Sequence, residues 1–114
     1  MVSAQWPDEM SMKERRNRPM SPHTVAVLRA LAGGTTYGFD VMDATGLPSG
    51  TVYPILSRVE RRGLVEASWE DPELHRSEGR PARKYYQLTA EGRVALSGAV
   101  ERMRALGRPL PRQA

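Results

Sequence analysis

The chain has 114 residues, 39% of them hydrophobic and 26% charged, which suits one small domain with short extensions and a modest core. Lys and Arg number 17 against 13 Asp and Glu, a net charge of +4 that favours a polyanionic partner. The absence of cysteine excludes a disulfide scaffold and a thiolate metal site, and no window approaches the ~18 consecutive apolar residues of a membrane span.

Residues 1–20 are polar and irregular and read as an N-terminal arm, with a short helix before Pro19. Asp8, Glu9 and the lack of an apolar run speak against a secretory signal, so a cytoplasmic setting is expected. Trp6 and Met10 in this arm are either incidental or docked on a neighbouring subunit.

A first helix is expected from Ser21, which can cap it, with Pro22 at the first helical position, where a missing N–H is harmless. Val25, Leu28 and Leu31, with Val27 and Ala32, give the helical apolar spacing, and Gly33-Gly34 stops it. A second helix covers Tyr37 to Thr45, with Phe39, Val41 and Met42 as its apolar content, and ends at Gly46. Leu47 and Pro48 alone separate it from a third helix, Ser49 to Arg62, capped by Ser49 and stopped at Gly63. So short a turn makes the two helices cross steeply, as in a helix-turn-helix. Val52, Leu56 and Val59, flanked by Ile55, face the core; Pro54 is expected near the first turn, with a kink.

"LVEASWE" alternates as a strand, with Trp69 as a core plug beneath the hairpin, and "KYYQL" is its antiparallel partner. Of Tyr85 and Tyr86, one should pack inward. The polar run "DPELHRSEGRPAR" between the strands reads as a long hairpin tip, and Glu66, Glu70 and Asp71 read as surface charge. Thr89 caps a last helix, "AEGRVALSGAVERMRALG", ended by Gly107 and Pro109. Leu96, Val100, Met103 and Leu106 form one apolar stripe on it, with Ala95 and Ala99 alongside for close approach. A helix this long is expected to exceed what the rest of the domain can cover, so the stripe predicts a homodimer.

The order helix, helix, helix, strand, strand, helix describes a mostly α, α+β fold: a winged helix-turn-helix over residues 21–88, a dimerisation helix over 89–107 and a tail over 108–114. The front of the third helix carries Ser49, Gly50, Thr51, Tyr53 and Pro54, small or polar groups a core does not need. A helix fits the major groove and presents its N-terminal half to base edges, so double-stranded DNA is the expected partner. Arg58 and Arg61 lie where they can reach the flanking phosphates, and Arg76, Arg80, Arg83 and Lys84 make a basic wing. His23 and His75 stand apart without companions at ligand spacing, and nothing pairs a nucleophile with a base, so neither metal, cofactor nor enzyme activity is expected.

The stretch "YGFDVMDATGLPSGTVYPILSRVERRGLVEASWE", followed by "GRPARKYYQLTAEGRVAL", resembles the PadR family of bacterial transcriptional regulators over about Val25 to Leu96. The most specific matches are Tyr37-Gly38, Ser49–Leu56, Arg58–Val65 and Arg83–Gly92. The resemblance implies a homodimeric, sequence-specific DNA-binding protein, usually a repressor, on an inverted-repeat operator. It also implies that Ser49, Thr51, Tyr53 and Pro54 face the groove and its phosphates, that Tyr37 lies at the DNA backbone, and that Arg83 and Lys84 serve the wing. Some members release DNA on binding a phenolic acid or a flat drug, which adds a small-molecule effector as a possible partner. The single C-terminal helix resembles the short subfamily but has no aromatic residue, so the tryptophan-lined drug pocket of some short members does not transfer. Two other readings stay open: a winged-helix protein-interaction module without specific DNA binding, and a sensor built to capture a small molecule.

Overall fold

The structure, a computed structural model, describes residues 20–111; the arm, with Trp6, Met10 and the expected helix before Pro19, lies outside them. The elements run α1 (Pro22–Ala32), α2 (Gly38–Thr45), α3 (Ser49–Arg61), β1 (Val65–Trp69), α4 (Pro72–Ser77), β2 (Lys84–Leu88) and α5 (Ala90–Ala105).

Helix α1 starts as its sequence requires. The Ser21 hydroxyl accepts from the Thr24 amide at 3.2 Å, and Pro22 opens the first turn. Val25, Val27, Leu28 and Leu31 are all buried, which makes α1 the central helix, packed against α2, α3, α5 and β2. Ala32 at its end is exposed. The turn between α2 and α3 is stitched by one side chain. The Thr45 hydroxyl donates to the Val41 carbonyl at 2.7 Å and accepts from the Leu47 amide at 3.2 Å, while Gly46 takes the left-handed conformation (φ 73°).

Val52, Leu56 and Val59 of α3 are completely buried, each stabilising the fold by about 2 kcal/mol relative to exposure. Their opposite face is left to solvent. β1 and β2 pair antiparallel from Val65↔Leu88 to Trp69↔Lys84. The free edge of β2 is partly covered: the Tyr86 amide donates to the Thr36 carbonyl at 2.8 Å, and Tyr37 bridges Tyr85. The inward tyrosine is Tyr86, which is buried, whereas Tyr85 is half-buried.

The start of α5 is locked against the turn after α3. The Thr89 hydroxyl donates to the Gly63 carbonyl at 2.8 Å and accepts from the Gly92 amide at 2.9 Å. Gly92 has to be glycine, since a Cβ there would stand 1.9 Å from the Leu64 carbonyl oxygen. Past this point α5 runs back along α1.

Several expectations need correction. Trp69 is 66% exposed, because it is the last residue of β1 and has run past the helical body; Leu64, Val65 and Tyr86 plug the core instead. Phe39 is 55% exposed, since α2 buries only Gly38 and Val41. The hairpin tip contains the short helix α4, started by Asp71, whose carboxylate accepts from the Glu73 amide at 2.9 Å. Glu70 is not surface charge: it is only 8% exposed. The centre of the α5 stripe is already covered. Leu96, Ala99 and Met103 are buried within this chain's own core, whereas Val100 is half-buried and Leu106 is 70% exposed. Beyond α5 the chain folds back: Leu110 packs on the core, and the Pro111 carbonyl accepts from Arg29 at 3.0 Å.

Candidate nucleic-acid interface

Ser49, Gly50, Tyr53, Pro54, Ser57, Arg58 and Arg61 are all exposed, and their spacing places them on one continuous face of α3. Thr51 is half-buried at its margin. The front of this face is uncharged; the two arginines mark its rear.

Ser49 does not cap the helix. Pro48 occupies the cap position and offers no side-chain hydrogen bond, so Ser49 is the first helical residue and its hydroxyl faces outward. The Pro48 carbonyl takes the Thr51 and Val52 amides, at 2.9 and 3.0 Å, and the amides of Ser49 and Gly50 remain at the open helix start. Such amides, with the positive end of the helix dipole behind them, form a site for an anionic oxygen. Pro54 lies in the interior of α3 rather than in its first turn. Having no N–H, it leaves the Gly50 carbonyl without its helical donor, so the exposed face also carries a spare acceptor.

Tyr53 is 43% exposed, and its ring lies against Gly38. A Cβ at Gly38 would stand 2.8 Å from the Tyr53 Cε1 atom. The Tyr37-Gly38 pair thus has two tasks: Gly38 makes room for the ring of α3, and Tyr37 starts an aromatic cluster. The Tyr37 ring stacks on Phe39 at 6.4 Å between centroids and tilts against Tyr85 at 5.9 Å. The Arg83 guanidinium lies 5.0 Å from the Tyr37 ring centroid. A chain of contacts therefore links α3 to the wing through Tyr53, Gly38, Tyr37 and Arg83.

The other wing cations are held differently. Lys84 Nζ stands 3.5 Å from Glu60 Oε1, 5.8 Å from the Trp69 ring and 5.5 Å from the Tyr86 ring. Burial pushes the Tyr86 phenol above its usual pKa, and neighbouring Lys84 opposes that shift. Arg76 pairs loosely with Glu73 at 3.8 Å, both well exposed. Arg80 is turned inward: it donates through Nη1 and Nη2 to the two Glu70 oxygens at 2.7 and 2.6 Å and also binds Glu78. The hydrogen bonds from Arg80 hold the Glu70 carboxyl below its ordinary pKa, and the same partnership raises that of Arg80.

The structure thus brings Ser49, Gly50, Tyr53, Pro54 and Arg58 onto one face, and joins Tyr37 to Arg83. It engages Arg80 and Lys84 with carboxylates. The sequence alone assigns no site role to Gly38, Phe39, Tyr85 or Glu70. Period-2 alternation flagged Tyr85, and an aromatic on a short, sparsely buried helix flags Phe39; nothing local distinguishes Glu70 from Glu66.

No helix among the described residues is long and apolar enough to cross a membrane. No curated protein matches the sequence. Solved structures do. A PadR-like transcription factor from Bacteroides fragilis is 25% identical with a TM-score of 0.64, over 74% of this chain and 82% of that one. A PadR family transcription regulator from Clostridium difficile R20291 is 25% identical with a TM-score of 0.65, over 76% and 92%. The PcaV transcriptional regulator from Streptomyces coelicolor, solved with its natural ligand, is 25% identical with a TM-score of 0.66, over 79% and 60%. The profile of the transcriptional regulator PadR-like family matches residues 27–98, well over half of the chain. With this match, a wing hairpin behind a helix-turn-helix and a helix after it, the chain belongs to the PadR-like family of transcriptional regulators, proteins that act as regulators and not as enzymes.

Proposed function

We propose that this regulator is a homodimer that binds an inverted-repeat operator, usually to repress, with α3 in the major groove and the wing on the adjoining backbone. The exposed face of α3 carries this reading. Seven exposed positions, an uncapped helix start and the surplus Gly50 carbonyl form a surface with donors and acceptors and no apolar side chain beyond the rings of Tyr53 and Pro54. In this arrangement Ser49, Gly50 and Thr51 approach the groove floor, Tyr53 gives its hydroxyl to a phosphate, and Arg58 and Arg61 meet the backbone behind it. Arg83, braced on Tyr37, serves the wing.

The direct experiment is selection of a preferred duplex from a random pool, followed by titration against salt. Specific binding with a steep negative salt slope supports the reading; a shallow slope together with a protein partner favours an interaction module.

The dimer would form across the parts of α5 that the chain leaves uncovered, at half-buried Val100 and exposed Leu106. Two copies of α3 would then stand about one DNA turn apart, roughly 34 Å. Val100→Asp places a charge at that seam and is expected to give monomers with little affinity for the palindrome; sedimentation reads this out. A mutant that stays fully dimeric contradicts it.

One observation favours an effector as well. A groove of about 400 Å³ lies between the end of α1 and α5, floored by Leu88, Leu96 and Val100 and flanked by Arg29 and Arg93. PcaV, of similar fold, holds its natural ligand in the crystal. The groove offers apolar area with two cations at its rim, which suits a small anionic molecule. Calorimetric titration with aromatic acids tests it, with Arg29→Ala expected to abolish the heat.

A further inference from the structure

The wing contains a buried carboxylate that the DNA-facing surface does not use. Glu70 follows directly on β1, and its own N–H donates to the Arg83 carbonyl at 2.8 Å, adding one rung to the hairpin ladder. Its side chain, 5% exposed, takes both guanidinium donors of Arg80 and accepts the Arg83 amide at 3.4 Å. One residue therefore holds both ends of the segment 71–82, by main chain and by side chain.

Among the described residues, little else fixes that segment. Leu74 is exposed, as are Glu73 and Arg76, so α4 contributes no apolar anchor. The hydrogen bonds described within it are local, such as those from Glu73 to Asp71, from Ser77 to Leu74 and from the Glu78 amide to the Leu74 carbonyl. A loop without apolar anchors keeps its shape only if something else offsets its conformational entropy. A forked carboxylate–guanidinium pair in a water-poor position has the directionality to do this. The same loop leads straight into Arg83, whose guanidinium lies 5.0 Å from the Tyr37 ring centroid.

We propose that Glu70 is the positioning residue of the wing: by gripping Arg80 it closes the 71–82 loop and presents Arg83 and Lys84 to the duplex already in place. Arg80 is then part of the brace and not a phosphate ligand. This rests on the reading of α3 and the wing as a duplex-binding surface.

The proposal has a signature that charge alone cannot give. Glu70→Gln removes a negative charge from a basic face, so simple electrostatics tightens DNA binding. The brace predicts the reverse. Duplex affinity is measured with the site selected by the wild type and with a mixed-sequence duplex. The expected result for Glu70→Gln is about tenfold weaker binding to the selected site, the order of one lost charge-assisted contact. Arg80→Ala should match it, and the double variant should be no weaker than either single one, because both remove the same brace. Trypsin should cut after Arg76 faster in each variant. Tighter binding by Glu70→Gln, or a further loss in the double variant, overturns the proposal and makes Arg80 a direct phosphate contact. Should Glu70→Gln fail to fold, Arg80→Lys takes its place, since it keeps the charge and loses only the fork: weaker binding supports the brace and unchanged affinity overturns it. If the wild type binds neither duplex, the DNA reading fails separately, and the trypsin rates alone decide: faster cutting supports the brace, equal cutting overturns it.

Discussion

Helix α3 and the wing belong to one proposed surface, yet opposite physics holds them. α3 is fixed from behind. Val52, Leu56 and Val59 are wholly buried, so its outer face is free to be polar and small without loss of order. The wing reaches beyond the core. Trp69, the last residue of β1, is exposed, helix α4 buries nothing apolar, and the loop is closed by Glu70 and Arg80. One half is stabilised by apolar area, which is non-directional and adds up over many contacts. The other is stabilised by a few directional contacts, each of which matters singly. A helix packed on a core tolerates change on its free face, whereas a loop outside the core is sensitive to single polar partners.

Substitutions can sharpen this contrast. The largest effect is expected at the back of α3. Leu56→Ala should lower stability by about 3 kcal/mol through lost transfer and cavity energy, read as a shifted urea midpoint with unchanged slope. A loss under about 1 kcal/mol would mean that α3 is not held by its buried side.

On the free face the cost should move from folding to binding. Tyr53→Phe should leave the midpoint unchanged and weaken duplex binding by about 1 kcal/mol, one phosphate hydrogen bond. Equal affinity would leave Tyr53 as a spacer against Gly38 rather than a contact.

In the wing, Arg83→Ala should weaken selected and mixed duplexes alike and flatten the salt slope by about one unit. The loss of its place over Tyr37 should cost no more than about 1 kcal/mol of stability. A loss confined to one sequence would make Arg83 a base reader and erase the distinction between a reading helix and a positioning wing.

The smallest effect is expected at the residue whose size most suggests importance. Trp69→Ala should change stability by no more than about 0.5 kcal/mol, since the ring lies mainly in solvent beside Lys84. A larger loss would show that the wing leans on apolar contact after all, and calorimetry would register it.

The helical part of the fold was legible because its signals are local. Ser21 and Pro22 mark the start of α1, Gly46 the turn, Thr89 the start of α5, and the spacing of Val52, Leu56 and Val59 the buried side of α3. Each depends on residues within a few positions of one another, where backbone geometry leaves few choices. The candidate face of α3 follows from the same periodicity, since what is not apolar is what remains exposed. Ser49 looks like the cap by composition, yet Pro48, which has no capping side chain, takes that place without any compositional sign.

What only the tertiary structure decided involves residues distant in sequence or a burial that composition cannot reveal. Glu70 and Glu66 are chemically alike, yet one is buried because Arg80 folds back to it, while the other, within β1, is exposed. Trp69 and Val65 share a face of the strand, but the helical body ends between them, so one ring is wet and the other side chain dry. The spacing on α5 defines an apolar stripe; that α1 covers its centre and leaves Val100 and Leu106 at its margins depends on how two helices far apart in the chain lie together. Periodicity specifies which side of an element seeks cover. What supplies the cover is settled by packing, a sum over non-local contacts that no single stretch of sequence contains.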